Sequence, residues 1–166
     1  LNADTGKLVW HYQFTPHDVN DWDSNETPVL IDAQWKGHPR KLLVQANRNS
    51  FFYVLDRATG EFLLGEAFAR QSWAKGILPN GRPDRLPNTN PTLKGNYLCP
   101  DVHGGTNWQA PAWNPATGLF YVVARDGCGF YYPTGFSNDN DKTPPRQSVK
   151  AIDLYTGNVR WEFPFV

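Results

Sequence analysis

One short phrase occurs four times along the chain and limits the fold more than any other feature. It reads Ala3-Asp4-Thr5-Gly6-Lys7-Leu8-Val9-Trp10 near the start and Ala151-Ile152-Asp153-Leu154-Tyr155-Thr156-Gly157-Asn158-Val159-Arg160-Trp161 near the end. Two degenerate copies lie between, Val54-Leu55-Asp56-Arg57-Ala58-Thr59-Gly60-Glu61-Phe62 and Trp113-Asn114-Pro115-Ala116-Thr117-Gly118-Leu119-Phe120. Asp or Asn, two or three residues, Thr-Gly and an apolar run describe a hairpin. The carboxylate or amide caps its own turn, and Gly takes the positive φ that a tight turn needs. The glycines fall at 6, 60, 118 and 157, at intervals of 54, 58 and 39 residues. Short-strand units of about 40 to 50 residues predict a propeller or a solenoid, and four-stranded blades fit the spacing.

Other signals agree. Lys41–Ala46, the polar Asn47-Arg48-Asn49-Ser50 and Phe51–Leu55 read as strand, turn, strand, and Leu119–Ala124 reads as a further strand. No window holds a helical period. Fourteen Gly, fourteen Pro and seven Trp, with no Met, suit many turns and strands and exclude a bundle of long helices. Residues 79–98 and 133–147, rich in Pro, Asn and Gly, read as two long loops. Three to four units are present, too few for a closed ring of six to eight blades. The chain also starts at Leu1 inside one copy of the phrase and ends just after another. The expectation is an all-β partial β-propeller, with 1–166 an internal fragment of a longer protein.

Sixteen basic and sixteen acidic residues cancel, so nothing in the charge balance favours a phosphate backbone, and nucleic acid is not an expected partner. The longest apolar runs are strand-sized, so no transmembrane segment is expected.

The densest polar stretch, His17-Asp18-Val19-Asn20-Asp21-Trp22-Asp23-Ser24-Asn25-Glu26, carries more acid than a strand connection needs. It reads as a general base or metal ligand, or else as a solvated acidic loop. Arg48 sits in a turn of the kind that gathers at a propeller's face and clamps carboxylate or carbonyl oxygen, or else it is an exposed turn residue. Gly104-Gly105-Thr106-Asn107-Trp108 offers close backbone approach beside an amide and an indole, or a simple turn into a strand. Cys99 and Cys128 are the only cysteines, and they leave one disulfide or two free thiols open. His11, His17, His38 and His103 are too scattered for a metal cluster.

Taken together, Trp10-His11-Tyr12-Gln13-Phe14-Thr15-Pro16-His17-Asp18, Trp22-Asp23, Asn47-Arg48-Asn49 and Tyr53-Val54-Leu55-Asp56-Arg57 resemble the quinoprotein alcohol dehydrogenases of the methanol and ethanol dehydrogenase type. The Thr-Gly-x-x-x-Trp phrase resembles the tryptophan-docking motif of that family's eight-bladed propeller. The resemblance implies oxidation of a primary alcohol to an aldehyde by hydride transfer to pyrroloquinoline quinone (PQQ). It gives Asp23 the roles of general base and metal ligand, with Asp21 as the alternative, and makes Arg48, Asn107 and Trp108 cofactor contacts. It also implies a Cys99–Cys128 disulfide, a bacterial periplasmic location, and a cytochrome c or haem domain as electron acceptor. Lanthanide-using members carry a second Asp two residues after the base; after Asp23 that position is Asn25, which points to Ca²⁺. The family's other metal ligands, adjacent-cysteine ring and Trp floor have no counterpart in this chain, so the chain alone is expected to be inactive. A non-catalytic propeller, such as an outer-membrane assembly scaffold or binding module, is the other reading of the same repeats.

Overall fold

The structure is a computed structural model, and it describes residues 1–137 and 143–165. The Asn138-Asp139-Asn140-Asp141 part of the second expected loop lies outside the described residues. Thirteen strands and no helix make up the described chain: β1 Val29–Trp35, β2 His38–Ala46, β3 Phe51–Asp56, β4 Phe62–Ala67, β5 Ala74–Ile77, β6 Pro83–Arg85, β7 Asn96–Leu98, β8 Ala112–Asn114, β9 Leu119–Asp126, β10 Gly129–Tyr132, β11 Gly135–Ser137, β12 Arg146–Asp153 and β13 Val159–Pro164. With no helix present, none of the described residues forms a helix long and apolar enough to cross a membrane.

Two antiparallel sheets have the four strands of a propeller blade, β1-β2-β3-β4 and β13-β12-β9-β8. Two smaller sheets, β5-β6 and β11-β10-β7, are built from the segment between the blades (β5, β6 and β7) and from the connection of β9 to β12 within the second blade (β10 and β11). Strands β6 and β7 therefore lie within 79–98, and β11 with the start of β12 within 133–147. Each of these pieces within the expected loops is three residues long, apart from the entry to β12, and Pro and Gly around them mask any alternation.

The repeated phrase has one geometry at all four sites. The Gly6, Gly60, Gly118 and Gly157 amides donate to the carbonyls of Asn2, Asp56, Asn114 and Asp153, at 2.8, 2.8, 3.0 and 2.9 Å. The side-chain oxygen of the same Asp or Asn accepts amides inside each turn. In the first copy the capping residue is Asn2, not Asp4. The copies at 56–60 and 153–157 join the third and fourth strands of their blades, whereas 114–118 joins β8 to β9. That difference of place explains the uneven spacing.

The fourth residue after each of the first two glycines meets the glycine of the following blade. Trp10 donates its indole N–H to the Arg57 carbonyl at 3.0 Å and lies flat enough on Gly60 that a Cβ there would sit 2.8 Å from the ring. Leu64 takes the same step, 3.1 Å from where a Gly157 Cβ would be. Trp161 stands at the next step on β13, 45% exposed, against Tyr121.

Gly60→Ala in the full-length protein should therefore cost about 2–4 kcal/mol, from a left-handed φ of 78° and from overpacking against Trp10. Gly118→Ala has similar φ but open space, and should cost only about 1 kcal/mol. Equal urea midpoints for the two variants would remove the packing explanation.

Strand β3 is buried along its whole length, which its unbroken Phe-Phe-Tyr-Val-Leu run requires. Phe52 and Val54 face a core shared with Leu42, Val44, Phe120, Val122 and Ile152, the interface of the two blades. Phe51 and Tyr53 face a second core with Trp22, Trp73, Leu98 and Tyr131. This second core lies beneath the segments that carry the polar stretch.

Candidate active site

Segment 17–26 has no regular structure, so its shape comes from side chains. The Asp18 carboxylate accepts the Asn20 amide at 2.8 Å and the Trp22 amide at 2.8 Å, folding the chain back on itself. His17 and Asp21 take left-handed backbone, with φ of 53° and 63°. Trp22 is 1% exposed, packs on Trp73 and Tyr131, and donates its indole N–H to the Tyr131 hydroxyl at 2.9 Å and the Asp101 carbonyl at 3.2 Å. An anchored Trp22 leaves Asp21 and Asp23 on either side of it, both exposed. Among the described residues neither carboxylate makes an ion pair or hydrogen bond.

The turn 47–50 is not an exposed hairpin end. Asn47, Asn49 and Ser50 are fully buried and Arg48 is 9% exposed. Asn47 donates to Ser24 Oγ at 2.8 Å, and Asn49 donates to the Phe14 carbonyl at 3.1 Å and Thr15 Oγ1 at 3.0 Å. The turn is thereby fastened to the N-terminal segment on both sides. The Arg48 guanidinium donates through Nη2 to the Val102 carbonyl, while its Nε is buried without a hydrogen-bond partner among the described residues.

The third segment is 99–108. The Cys99–Cys128 disulfide is present, so the pairing left open by the residues alone is settled. Asp101, buried, pairs with Arg125 at 2.6 Å and accepts the His103 amide at 2.9 Å. Gly104 and Gly105 serve close approach, but to protein: their would-be Cβ atoms fall 2.7 Å from the Arg48 carbonyl and 2.5 Å from Ser50 Oγ. The Gly105 amide donates to the Arg48 carbonyl at 2.9 Å. Asn107 accepts from Asn25 Nδ2 at 3.1 Å and from the Trp108 amide at 2.9 Å, and donates to the His103 carbonyl at 2.9 Å. One amide N–H of Asn107 is left for a ligand.

The fold thus gathers the segments of Asp23, Arg48, Asn107 and Trp108 in one place. A cavity of about 460 Å³ is lined by His103, Asn107, Trp108, Arg125 and Gln147, with Trp108 73% exposed at its edge. A second, of about 300 Å³, is lined by Asn20, Asp21, Val102, Tyr131 and Phe136. Val102, whose carbonyl holds Arg48, belongs to one cavity, and its neighbour His103 belongs to the other.

The unpaired buried Arg48 Nε, the spare Asn107 N–H and the exposed Trp108 face suit a flat, acceptor-rich group. The two free carboxylates beside Trp22 are hard oxygen donors of the kind Ca²⁺ or a lanthanide takes. No three His, Cys, Asp or Glu side chains among the described residues are grouped to hold a metal, so they fit only part of a coordination shell.

Glu26 was not singled out as a site residue beyond its place in the acidic stretch. It is 5% exposed, and burial pushes its carboxyl up to about 7. A signal existed: Gln45 interrupts the apolar Leu42-Leu43-Val44 run, and a polar residue there needs a buried partner. Its Nε2 donates to the Glu26 carbonyl at 3.1 Å.

The PQQ family, described as glucose/ethanol/alcohol dehydrogenase, beta-propeller domain, matches residues 1–67. Quinohemoprotein alcohol dehydrogenase ADH-IIG of Pseudomonas putida is 40% identical over 162 residues, covering 95% of this chain and 22% of that protein. Quinohemoprotein alcohol dehydrogenase from Comamonas testosteroni superposes with a TM-score of 0.92 at 29% identity, over 100% of this chain and 28% of that one. A europium-containing methanol dehydrogenase superposes with a TM-score of 0.86 at 31% identity, over 97% of this chain and 31% of that one.

The capped-turn blades and these likenesses define a β-propeller segment of the quinoprotein class. The chain resembles a stretch of the PQQ-dependent alcohol dehydrogenases. It spans about a fifth of the length of the curated relatives it matches.

Proposed function

We propose that the protein carrying this chain is a PQQ-dependent alcohol dehydrogenase that oxidises a primary alcohol to an aldehyde, with residues 1–166 forming part of one propeller. What supports this reading is the meeting of the Asp21-Trp22-Asp23 turn, the buried Arg48 and the Asn107-Trp108 loop, three separate stretches tied together by direct hydrogen bonds. When bound, PQQ with its metal supplies a two-electron acceptor and a Lewis acid for hydride transfer from the alcohol carbon.

The chain's own residues do the rest. A carboxylate of the turn takes the alcohol hydroxyl proton. Arg48 donates N–H to a cofactor oxygen and stabilises negative charge growing there. Asn107 donates its spare amide N–H, and Trp108 offers an aromatic face.

Asp23 is the first candidate for the base. Asp21 is the second, favoured by its strained left-handed backbone and its place in a cavity beside Val102. The choice bears on the metal. With Asp23 as base, Asn25 holds the second position and Ca²⁺ is the expected ion. With Asp21 as base, Asp23 itself occupies that position, and the extra hard ligand favours a trivalent lanthanide, the class of ion named for the europium-containing relative. The acceptor is a cytochrome c or haem domain, in line with the quinohemoprotein relatives. The disulfide supports an oxidising compartment, the bacterial periplasm.

The test is dye reduction by the full-length protein reconstituted with PQQ, across short primary alcohols, with Ca²⁺ or a lanthanide added. Turnover is expected, while residues 1–166 alone should show none. Inactivity under every combination would leave a non-catalytic propeller as the better account.

A further inference from the structure

We propose that Asn25 is the positioning residue for Asn107: its side-chain N–H fixes the Asn107 amide and ties that cofactor contact to the Asp23 turn, so that the two are held as one unit. The inference rests on the reading of Asn107 as a cofactor contact and extends it. Three observations carry it. The first is the bond itself, from Asn25 Nδ2 to Asn107 Oδ1 at 3.1 Å, between residues 82 apart in the chain. The second is that the backbone around Asn107 dictates the direction of this bond. The Trp108 amide donates to Oδ1 at 2.9 Å and Nδ2 donates to the His103 carbonyl at 2.9 Å, so the end of Asn107 that meets Asn25 is an acceptor. The third is how Asn25 is itself held. Its backbone amide donates to the Asp23 carbonyl at 2.9 Å, closing a three-residue turn, and Ser24 at the middle of that turn accepts from Asn47 Nδ2 at 2.8 Å.

The turn that carries Asp23 is therefore fastened twice, through Ser24 to the segment of Arg48 and through Asn25 to the loop of Asn107 and Trp108. Only a side chain with a hydrogen to donate can make the second link. A carboxylate at position 25 would offer acceptors alone and would face Asn107 Oδ1 with no hydrogen to share. With Asn25 in place, Oδ1 has both of its acceptor positions filled, and the amide cannot flip without losing all three bonds. The remaining Asn107 N–H thus keeps one direction, and the cost of ordering it is met before a ligand arrives.

The experiment is a double-mutant cycle on PQQ affinity in the full-length, Ca²⁺-saturated protein, read by quenching of tryptophan fluorescence. Asn25 is exposed and neither residue lies in a sheet, so the variants should fold. Asn107→Ala should bind PQQ about ten-fold more weakly. Asn25→Ala should lose about five-fold, and the double variant should be no weaker than N107A, because the two residues act through one amide. A loss from N25A that persists in the N107A background, as a merely structural role would give, overturns the proposal. Wild-type affinity in N25A beside a weak N107A also overturns it and leaves the Asn107 contact standing. Wild-type affinity in N107A would remove that contact and the inference together. Should N107A fail to fold, Asn107→Ser, which keeps a hydroxyl for the Trp108 amide, replaces it in the cycle with the same expected outcomes.

Discussion

Asp23→Asn in the full-length protein should abolish alcohol oxidation while PQQ remains bound. The substitution keeps size and shape but removes the ability to take a proton, a function typically worth about 10²–10⁴ in rate, together with one charged oxygen for the metal. The exposed Asp23 carboxylate makes no hydrogen bond or ion pair among the described residues, so no structural partner is lost. Stability should change by less than about 0.5 kcal/mol. Asp21→Asn is the matched comparison, since Asp21 flanks the same buried Trp22 from the other side. The base is the residue whose amide variant loses turnover at saturating alcohol and metal. The other variant should lose metal affinity first, and recover when metal is added in excess. Full retained turnover in both variants would sink the assignment of a base to this turn.

Trp22→Ala should be the most damaging single change to the fold of the site, costing about 3–5 kcal/mol. The ring is 1% exposed and fills the space between Trp73 and Tyr131, so its removal leaves a cavity. It also removes the indole donor shared by the Asp101 carbonyl and the Tyr131 hydroxyl, leaving the first with the Gly104 amide and the second with the Pro100 carbonyl. Trp22 ties segment 17–26 to the disulfide-bracketed loop, so both flanking aspartates should lose their positions. Urea unfolding would report the stability loss, and turnover should fall even where the variant is fully folded. Trp22→Phe keeps most of the packing and should cost less. If W22A and W22F unfold at the same urea concentration, cavity formation is not what makes Trp22 important.

The blade turns could be read from the sequence because each is local. An Asx side chain, two residues, Thr-Gly and the residue that follows carry the hydrogen bonds that close each turn. Strands β2, β3 and β9 were equally plain, being apolar runs bounded by turn residues. The three-residue strands in the expected loops were not. Tyr97 and Phe130 pack only because β7 and β10, far apart in the chain, are brought side by side. The candidate site residues are named by motif, but the motif does not show their surroundings. The turn around Arg48 is buried, because Asn47 and Asn49 bind segments more than twenty residues upstream. The glycines at 104 and 105, read as a ligand approach, are instead where one loop lies on another's backbone.

The sequence by itself determined the all-β class, the repeat and its turns, and the residue types able to do the chemistry. These follow from periodicity, backbone stereochemistry and side-chain functional groups, all of which act within a few residues. Only the tertiary structure decided which of those groups share a site and which are shielded from water. It joined Asn25 to Asn107 and Arg48 to the Val102 carbonyl. It also buried Glu26 against Gln45 and left the buried Arg48 guanidinium incompletely paired among the described residues. Desolvation and distance control what a carboxyl or guanidinium does, and both are set by chain segments that meet only when the blades pack.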